Sequence, residues 1–301
     1  MQDKLFKITL LISISIMIIL LIFLLPKVFS GNLILKPVLI SIGPFQIRWY
    51  GLLIATGVFL SIFLANDTAK KWNISENDLF NAIMIGLIFA IIGARLYYVI
   101  FNWDIYSKLP FSEIFKTWHG GLAIHGGILG ALLSVFLYTK MKKNLTFNFL
   151  KGLDLMSHVL PLGQAIGRWG NFFNYEAYGG PTDLPWKMYI PYSFRMSGYE
   201  NFKYFHPTFL YESIWDLLIF LFLFYYARNK KKFDGEIISL YLILYSLGRA
   251  FIEILRTDSL MFLGMKVAVL ISILFIIFGV FLYFYLKKQA VSSKTSIKKS
   301  H

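Results

Sequence analysis

Seven stretches of roughly twenty mostly apolar residues decide what this chain can become: 8–25, 49–66, 79–103, 120–139, 207–227, 237–255 and 267–286. Each is about long enough for a helix to cross the hydrocarbon layer, whereas a barrel strand needs about 9–11 residues. In lipid every backbone N–H and C=O needs an internal partner, so runs of this length specify helices. An eighth stretch, 153–172, is interrupted by Asp154, His158, Pro161 and Arg168. Counting it gives eight spans. Charged residues make up 15% of the sequence, against roughly 25% in a soluble domain, too few to cover a water-soluble surface. Cysteine is absent, which excludes disulfides, thiolate metal sites and a cysteine nucleophile belonging to the chain.

The net charge of +14 is a membrane signal here and not a nucleic-acid one. With the N-terminus in the cytoplasm, the inside segments 1–7, 67–78, 140–152, 228–236 and 287–301 hold 17 Lys and Arg. The longer outside segments 26–48, 104–119, 173–206 and 256–266 hold 10. That asymmetry sets the orientation. Lys4 and Lys7 before an apolar run resemble a secretory signal, with Val28-Phe29-Ser30 as a cleavage site. The run nevertheless exceeds a signal core of about 7–15 residues, which favours a retained span. The expected organisation is an N-terminal apolar segment over 1–30, a transmembrane domain over 31–286 and a basic cytoplasmic tail over 287–301. Within it, 173–206 forms either a small extracytoplasmic head or an unstructured hairpin.

Ionisable groups inside a membrane are costly and usually face a cavity, a partner or a pathway. Arg168, Asn171, Glu176 and Gly179 lie together in GRWGNFFNYEAYGG at 167–180. The Arg168 fork suits a pair of phosphate oxygens, with Asn171 adding donors and Glu176 orienting Arg168 or a bound hydroxyl. The alternative is an arginine reaching for headgroups beside a Trp169 anchor. His125, flanked by glycines in GGLAIHGG, is either a proton acceptor near neutral pH or a helix-packing residue. His119, six positions back, falls about 120° away around a helix, so the two do not form a metal pair. Tyr245, Arg249 and Glu253 share one helical face. Arg249 is either a second phosphate ligand oriented by Glu253 or a charge that Glu253 merely neutralises. Tyr50 stands at the outer interface, Glu212 and Asp216 lie one turn apart, and Arg95 is intramembrane without an assigned role.

The string GRWGNFFNYEAYGG resembles the signature of the prolipoprotein diacylglyceryl transferases. IRWYG at 47–51, GARLYYV at 93–99, GGLAIHGG at 120–127, HPTFLYE at 206–212 and YSLGRAFIEILRTD at 245–258 follow in the family's order. Together they cover nearly the whole chain. The resemblance implies an all-α, polytopic membrane bundle of seven core transmembrane helices with a small extracytoplasmic head, in the bacterial inner membrane. The apolar stretch 8–25 is an extra N-terminal span beyond that core, and Phe209 stands where the family often has a polar residue. The implied activity is transfer of the sn-1,2-diacylglyceryl group from phosphatidylglycerol to the lipobox cysteine of prolipoprotein signal peptides, without cofactor or metal. The matching residues give His125, Arg168 and Arg249 as catalytic. Tyr50, Asn171, Glu176, Gly179, Tyr245 and Glu253 are expected to bind or orient the substrate. The competing readings are a membrane transporter, for which no internal repeat is visible, and an intramembrane aspartyl peptidase using Asp154 and Asp216.

Overall fold

From residue 49 onward the apolar stretches become helices in a computed structural model, which describes residues 22–43 and 45–299. The principal helices are α1 (Trp49–Lys71), α2 (Glu76–Phe101), α3 (Ile124–Met141), α4 (Phe149–Ser157), α5 (Leu160–Asn174), α6 (Thr208–Asn229), α7 (Glu236–Leu255) and α8 (Val267–Lys299). Among the described residues six are long and apolar enough to cross a membrane: α1, α2, α3, α6, α7 and the Val267–Ser292 part of α8. The chain is therefore a multi-pass helical membrane protein. The stretch expected at 153–172 is not one helix but two, α4 and α5, parted at His158 and Val159. Pro161 explains the break, because it has no N–H to bond back to the preceding turn. Of the N-terminal stretch 8–25, only 22–25 lie within the described residues, and they belong to a helical segment over 22–29. At the other end α8 runs on through Lys299, so the tail begins as helix.

The chain divides into two compact units. The first comprises the described part of Met1–Ser61 with Leu160–Leu223 and Ser239–Tyr285. Small residues set its helix approaches. A Cβ on Gly57 would lie 3.0 Å from the Gly163 carbonyl, and one on Gly248 would lie 2.0 Å from the Trp215 indole nitrogen. That indole donates to the Leu244 carbonyl at 3.0 Å, fastening α6 to α7.

The segment 173–206 is a folded head and not an open hairpin. Its buried cluster contains Phe172, Tyr175, Tyr178, Met188, Ile190, Phe205 and Phe209. Strands β1 (Met188–Tyr189) and β2 (Tyr204–Phe205) pair antiparallel and contribute Met188 and Phe205 to it, and the Tyr178 hydroxyl donates to Phe194 O at 2.9 Å while accepting from Met196 N at 2.6 Å. Phe209 stacks on Phe172 with ring centroids 4.8 Å apart. An apolar ring at this position of the HPTFLYE motif is therefore a core residue.

The segment before the first matched motif belongs to the same core. Val28 is 2% exposed within it, and the Phe29 ring meets Phe172 and Phe209 at 6.2 and 6.4 Å. Leu35 N donates to the Tyr175 hydroxyl at 2.7 Å. Gly31, at φ +82°, passes so near Tyr189 that a Cβ would lie 2.7 Å from its ring. Cleavage behind Ser30 would strip Val28 and Phe29 from this core. Val28→Asp places an unpaired carboxylate in the cluster and is expected to cost about 3–5 kcal/mol. Limited proteolysis should then open 173–206 at temperatures the parent chain resists; unchanged resistance would mean that the strap is not part of the core.

The second unit comprises Ile62–Val159, Phe224–Ile238 and the described part of Leu286–His301. Its closest seam joins α2 to α3. A Cβ on Gly93 would lie 2.4 Å from Gly126 O, and one on Gly130 would lie 2.2 Å from Phe89 O. Glycines four apart on α3 thus let two backbones meet, as small residues commonly do between membrane helices. Asp154, fully buried, accepts from Gly235 N at 2.7 Å and Ile238 N at 2.9 Å and pairs with Lys231 at 3.0 Å. It anchors the first turn of α7, where donors lack helical partners.

Candidate functional site

In the first unit three helices bring five charged side chains together. Arg168 comes from the last turns of α5, Glu212 from the second turn of α6, and Arg249 and Glu253 from α7, with Arg256 just beyond it. Glu212 is 4% exposed and lies between the two arginines. Its Oε2 is 2.5 Å from Arg168 Nη2, and its Oε1 accepts from Arg249 Nη1 at 2.5 Å. The second amino group of Arg249 lies 2.6 Å from Glu253 Oε2. Arg256 approaches Glu212 at 3.6 Å and Glu253 at 3.7 Å, while its fork donates to both Asp258 oxygens at 2.9 and 2.6 Å. Burial would raise the Asp258 carboxyl, but the guanidinium outweighs it and holds that group below the usual carboxylate range. Tyr245 accepts from Arg168 Nη2 at 3.4 Å. Asp216, one turn beyond Glu212, is 2% exposed with Oδ2 lacking a hydrogen bond among the described residues.

Around this cluster the signature loop is held on both sides. Trp169 donates to Ser213 Oγ at 3.1 Å, and that hydroxyl donates to Ala165 O at 2.8 Å, pinning α5 to α6 beside Arg168. The Tyr50 ring lies over Gly170 so closely that a Cβ there would lie 2.2 Å from it. Glu176 is exposed and sits between Tyr175 at φ +54° and Ala177 at φ +58°. Two left-handed non-glycine residues in a row of three store backbone strain of the kind that clusters at functional sites. Glu176 accepts from Asn171 at 2.9 Å and Asn174 at 3.3 Å. Gly179 pairs with Arg256 as an isolated antiparallel bridge, and Gly179 N donates to His206 O at 2.9 Å.

The sequence offered Glu176 to orient Arg168 or a bound hydroxyl; Glu176 meets Asn171 and Asn174, and the carboxylate that meets Arg168 is Glu212. In the sequence Glu212 closes the HPTFLYE motif one turn before Asp216, and nothing in its spacing identifies the shared partner of two arginines far apart in the chain. The expected pairing of Arg249 with Glu253 is present, and Tyr245 does reach Arg168.

His125 belongs to the second unit, at the start of α3. Its ring is exposed and lies 6.2 Å from the Tyr97 ring. The flanking glycines serve the α2–α3 seam. Arg95, which the sequence left without a role, is 5% exposed and grips the loop leading to His125. It donates from Nε to Ile114 O at 2.8 Å and from Nη2 to Glu113 O at 2.6 Å. Its Nη1 donates to Gly120 O at 2.6 Å and Gly121 O at 2.9 Å.

Residues 37–285 match the family model described as prolipoprotein diacylglyceryl transferase. The phosphatidylglycerol–prolipoprotein diacylglyceryl transferase of Fervidobacterium nodosum is 52% identical over 280 residues, covering 91% of this chain and 95% of that protein. The proteins of the same name from Thermotoga petrophila and Finegoldia magna are 52% and 50% identical over 255 and 253 residues. They cover 85% and 84% of this chain, and 86% and 96% of their own. With a family match across most of its length and relatives at half identity, this chain belongs to the prolipoprotein diacylglyceryl transferase family.

Proposed function

We propose that this protein transfers the sn-1,2-diacylglyceryl group of phosphatidylglycerol to the lipobox cysteine thiol of a prolipoprotein. A sulfur–carbon bond forms at the glyceryl carbon, the bond from that carbon to the phosphate oxygen breaks, and glycerol phosphate leaves with the electron pair. The observation that carries the reading is the Glu212 carboxylate, whose two oxygens are each held by a different guanidinium. An arrangement that clamps two oxygens of one buried anion suits two oxygens of a headgroup phosphate.

In this scheme Arg168 and Arg249 take the charge that grows on the departing phosphate, where fixed cations in a low-dielectric site are most effective. His125 removes the thiol proton, since a thiol with an ordinary pKa near 8.5 is mostly protonated at neutral pH. Asn171, Glu176 and Gly179 line the glycerophosphate side of the signature loop, and Tyr50, Tyr245 and Glu253 orient donors. The two guanidiniums supply the positive charge, so the scheme calls for no metal or nucleotide. The asymmetry of Lys and Arg between the loops supports a place in the cytoplasmic membrane with the head on the extracytoplasmic side.

The peptidase reading loses its first acid, because both Asp154 oxygens are engaged by backbone donors of the 235–238 turn. Purified protein incubated with phosphatidylglycerol and a lipobox peptide should raise the peptide mass by one diacylglyceryl unit. The gain should vanish when the peptide cysteine is serine. Solute flux through proteoliposomes without any such mass change would favour a transporter instead.

A further inference from the structure

Three guanidiniums, Arg168, Arg249 and Arg256, stand in ion-pair contact with three carboxylates, Glu212, Glu253 and Asp258. Their formal charges cancel before any substrate arrives. Asp216, buried one turn beyond Glu212, brings a further acid to the same place. A phosphodiester headgroup carries one more negative charge, and seating it beside an unmoved Glu212 would force like charges together in a low-dielectric site. The nitrogens best placed to bind that phosphate, Arg168 Nη2 and Arg249 Nη1, are each held by Glu212 at 2.5 Å. A headgroup reaches them only if this carboxylate yields.

We propose that Glu212 is an exchangeable internal counter-ion. With the site empty it holds Arg168 and Arg249 in register, it gives way when the headgroup phosphate binds, and it returns as glycerol phosphate departs. The structure offers it somewhere to go. Its Oε1 is already within 3.6 Å of Arg256 Nη1, so rotation about the side chain moves the carboxylate towards a third cation without stranding it unpaired. Arg256 Nε and Nη2 are taken by Asp258 while Nη1 faces Glu212, so the network can share this carboxylate among three cations where a closed pair could not. On this view Glu212 is a positioning residue, acting on substrate through the arginines. The inference rests on the assignment of Arg168 and Arg249 to phosphate.

The test is calorimetric binding of glycerol phosphate to the full chain in lipid nanodiscs, with steady-state transfer measured alongside. Glu212→Gln removes the competing charge and keeps the side-chain shape. It should bind glycerol phosphate at least about tenfold tighter, with a lower KM for phosphatidylglycerol and a lower kcat because product leaves slowly. A purely structural role predicts weaker binding and a raised KM, and equal or weaker binding would overturn the proposal. Should Glu212→Gln fail to fold, Glu212→Asp decides the matter: its shorter arm cannot span both arginines, so tighter binding than the parent is again expected, and equal or weaker binding again overturns the exchange. Arg168→Gln and Arg249→Gln separate the two readings. If both bind glycerol phosphate as the parent does, the phosphate assignment itself fails. If both lose it while the Glu212 variants do not tighten, only the exchange fails.

Discussion

Arg249→Gln lowers kcat/KM for diacylglyceryl transfer by about 10²–10³-fold, the loss expected when a preorganised charge partner of a leaving group is removed. Part of any measured defect will be structural. Losing this guanidinium leaves Glu212 and Glu253 buried with one partner fewer, and stripping one side of a buried ion pair typically costs about 3–5 kcal/mol. Arg249 is itself 19% exposed at its side chain, which puts the cost at the lower end. The paired variant Arg249→Gln/Glu212→Gln separates the effects, because it removes one charge of each sign. Its melting temperature should recover towards that of the parent while transfer stays lost. Recovery of activity together with stability would mean that Arg249 only neutralises its neighbours. Arg249→Lys keeps the charge but not the fork that spans Glu212 and Glu253, so transfer should remain strongly impaired.

His125→Gln lowers transfer at pH 7 by about 10²–10⁴-fold, the usual contribution of a positioned base. The residual rate should climb nearly tenfold per pH unit until the peptide thiol ionises unaided near pH 8.5. In the parent chain that climb is damped, because the base supplies thiolate at neutral pH. Rates across pH 6–9 with the lipobox peptide distinguish the outcomes. A variant that keeps the parent rate at pH 7 would remove the base assignment. Arg95→Lys, which cannot reproduce the grip on four carbonyls, should weaken transfer through the loop before His125 and provides a check from outside the ring itself.

The spans were legible because hydrocarbon imposes a length on apolar runs and little else. The interruption at 153–172 was legible as polar residues, but its outcome, two helices separated at His158, follows from Pro161 removing one bond of the ladder. The motifs located Arg168 and Arg249, and both fall where one carboxylate joins them. Glu212 was harder to read, since its role depends on where α5, α6 and α7 meet and not on any spacing along the chain. For Arg95 the sequence showed a charge in an apolar run and could not show the carbonyls of a loop about twenty residues away. The strap over 22–36 was hidden for a related reason. Its apolar residues look like the end of a span, and only the aromatic cluster of the head reveals that Val28 and Phe29 pack against protein.

The antiparallel bridge between Gly179 and Arg256 gives the two halves of the clamp a common mechanical reference. Gly180 N also donates to Leu255 O at 2.8 Å, so the loop that follows Arg168 is stitched to the peptide units that follow Arg249. A tug on the head cannot slide one guanidinium past the other without unpicking those stitches. Tolerance for insertions should therefore be lowest between residues 176 and 181, and an added glycine there should loosen the grip on phosphate more than the same addition at the exposed turn near Gly198.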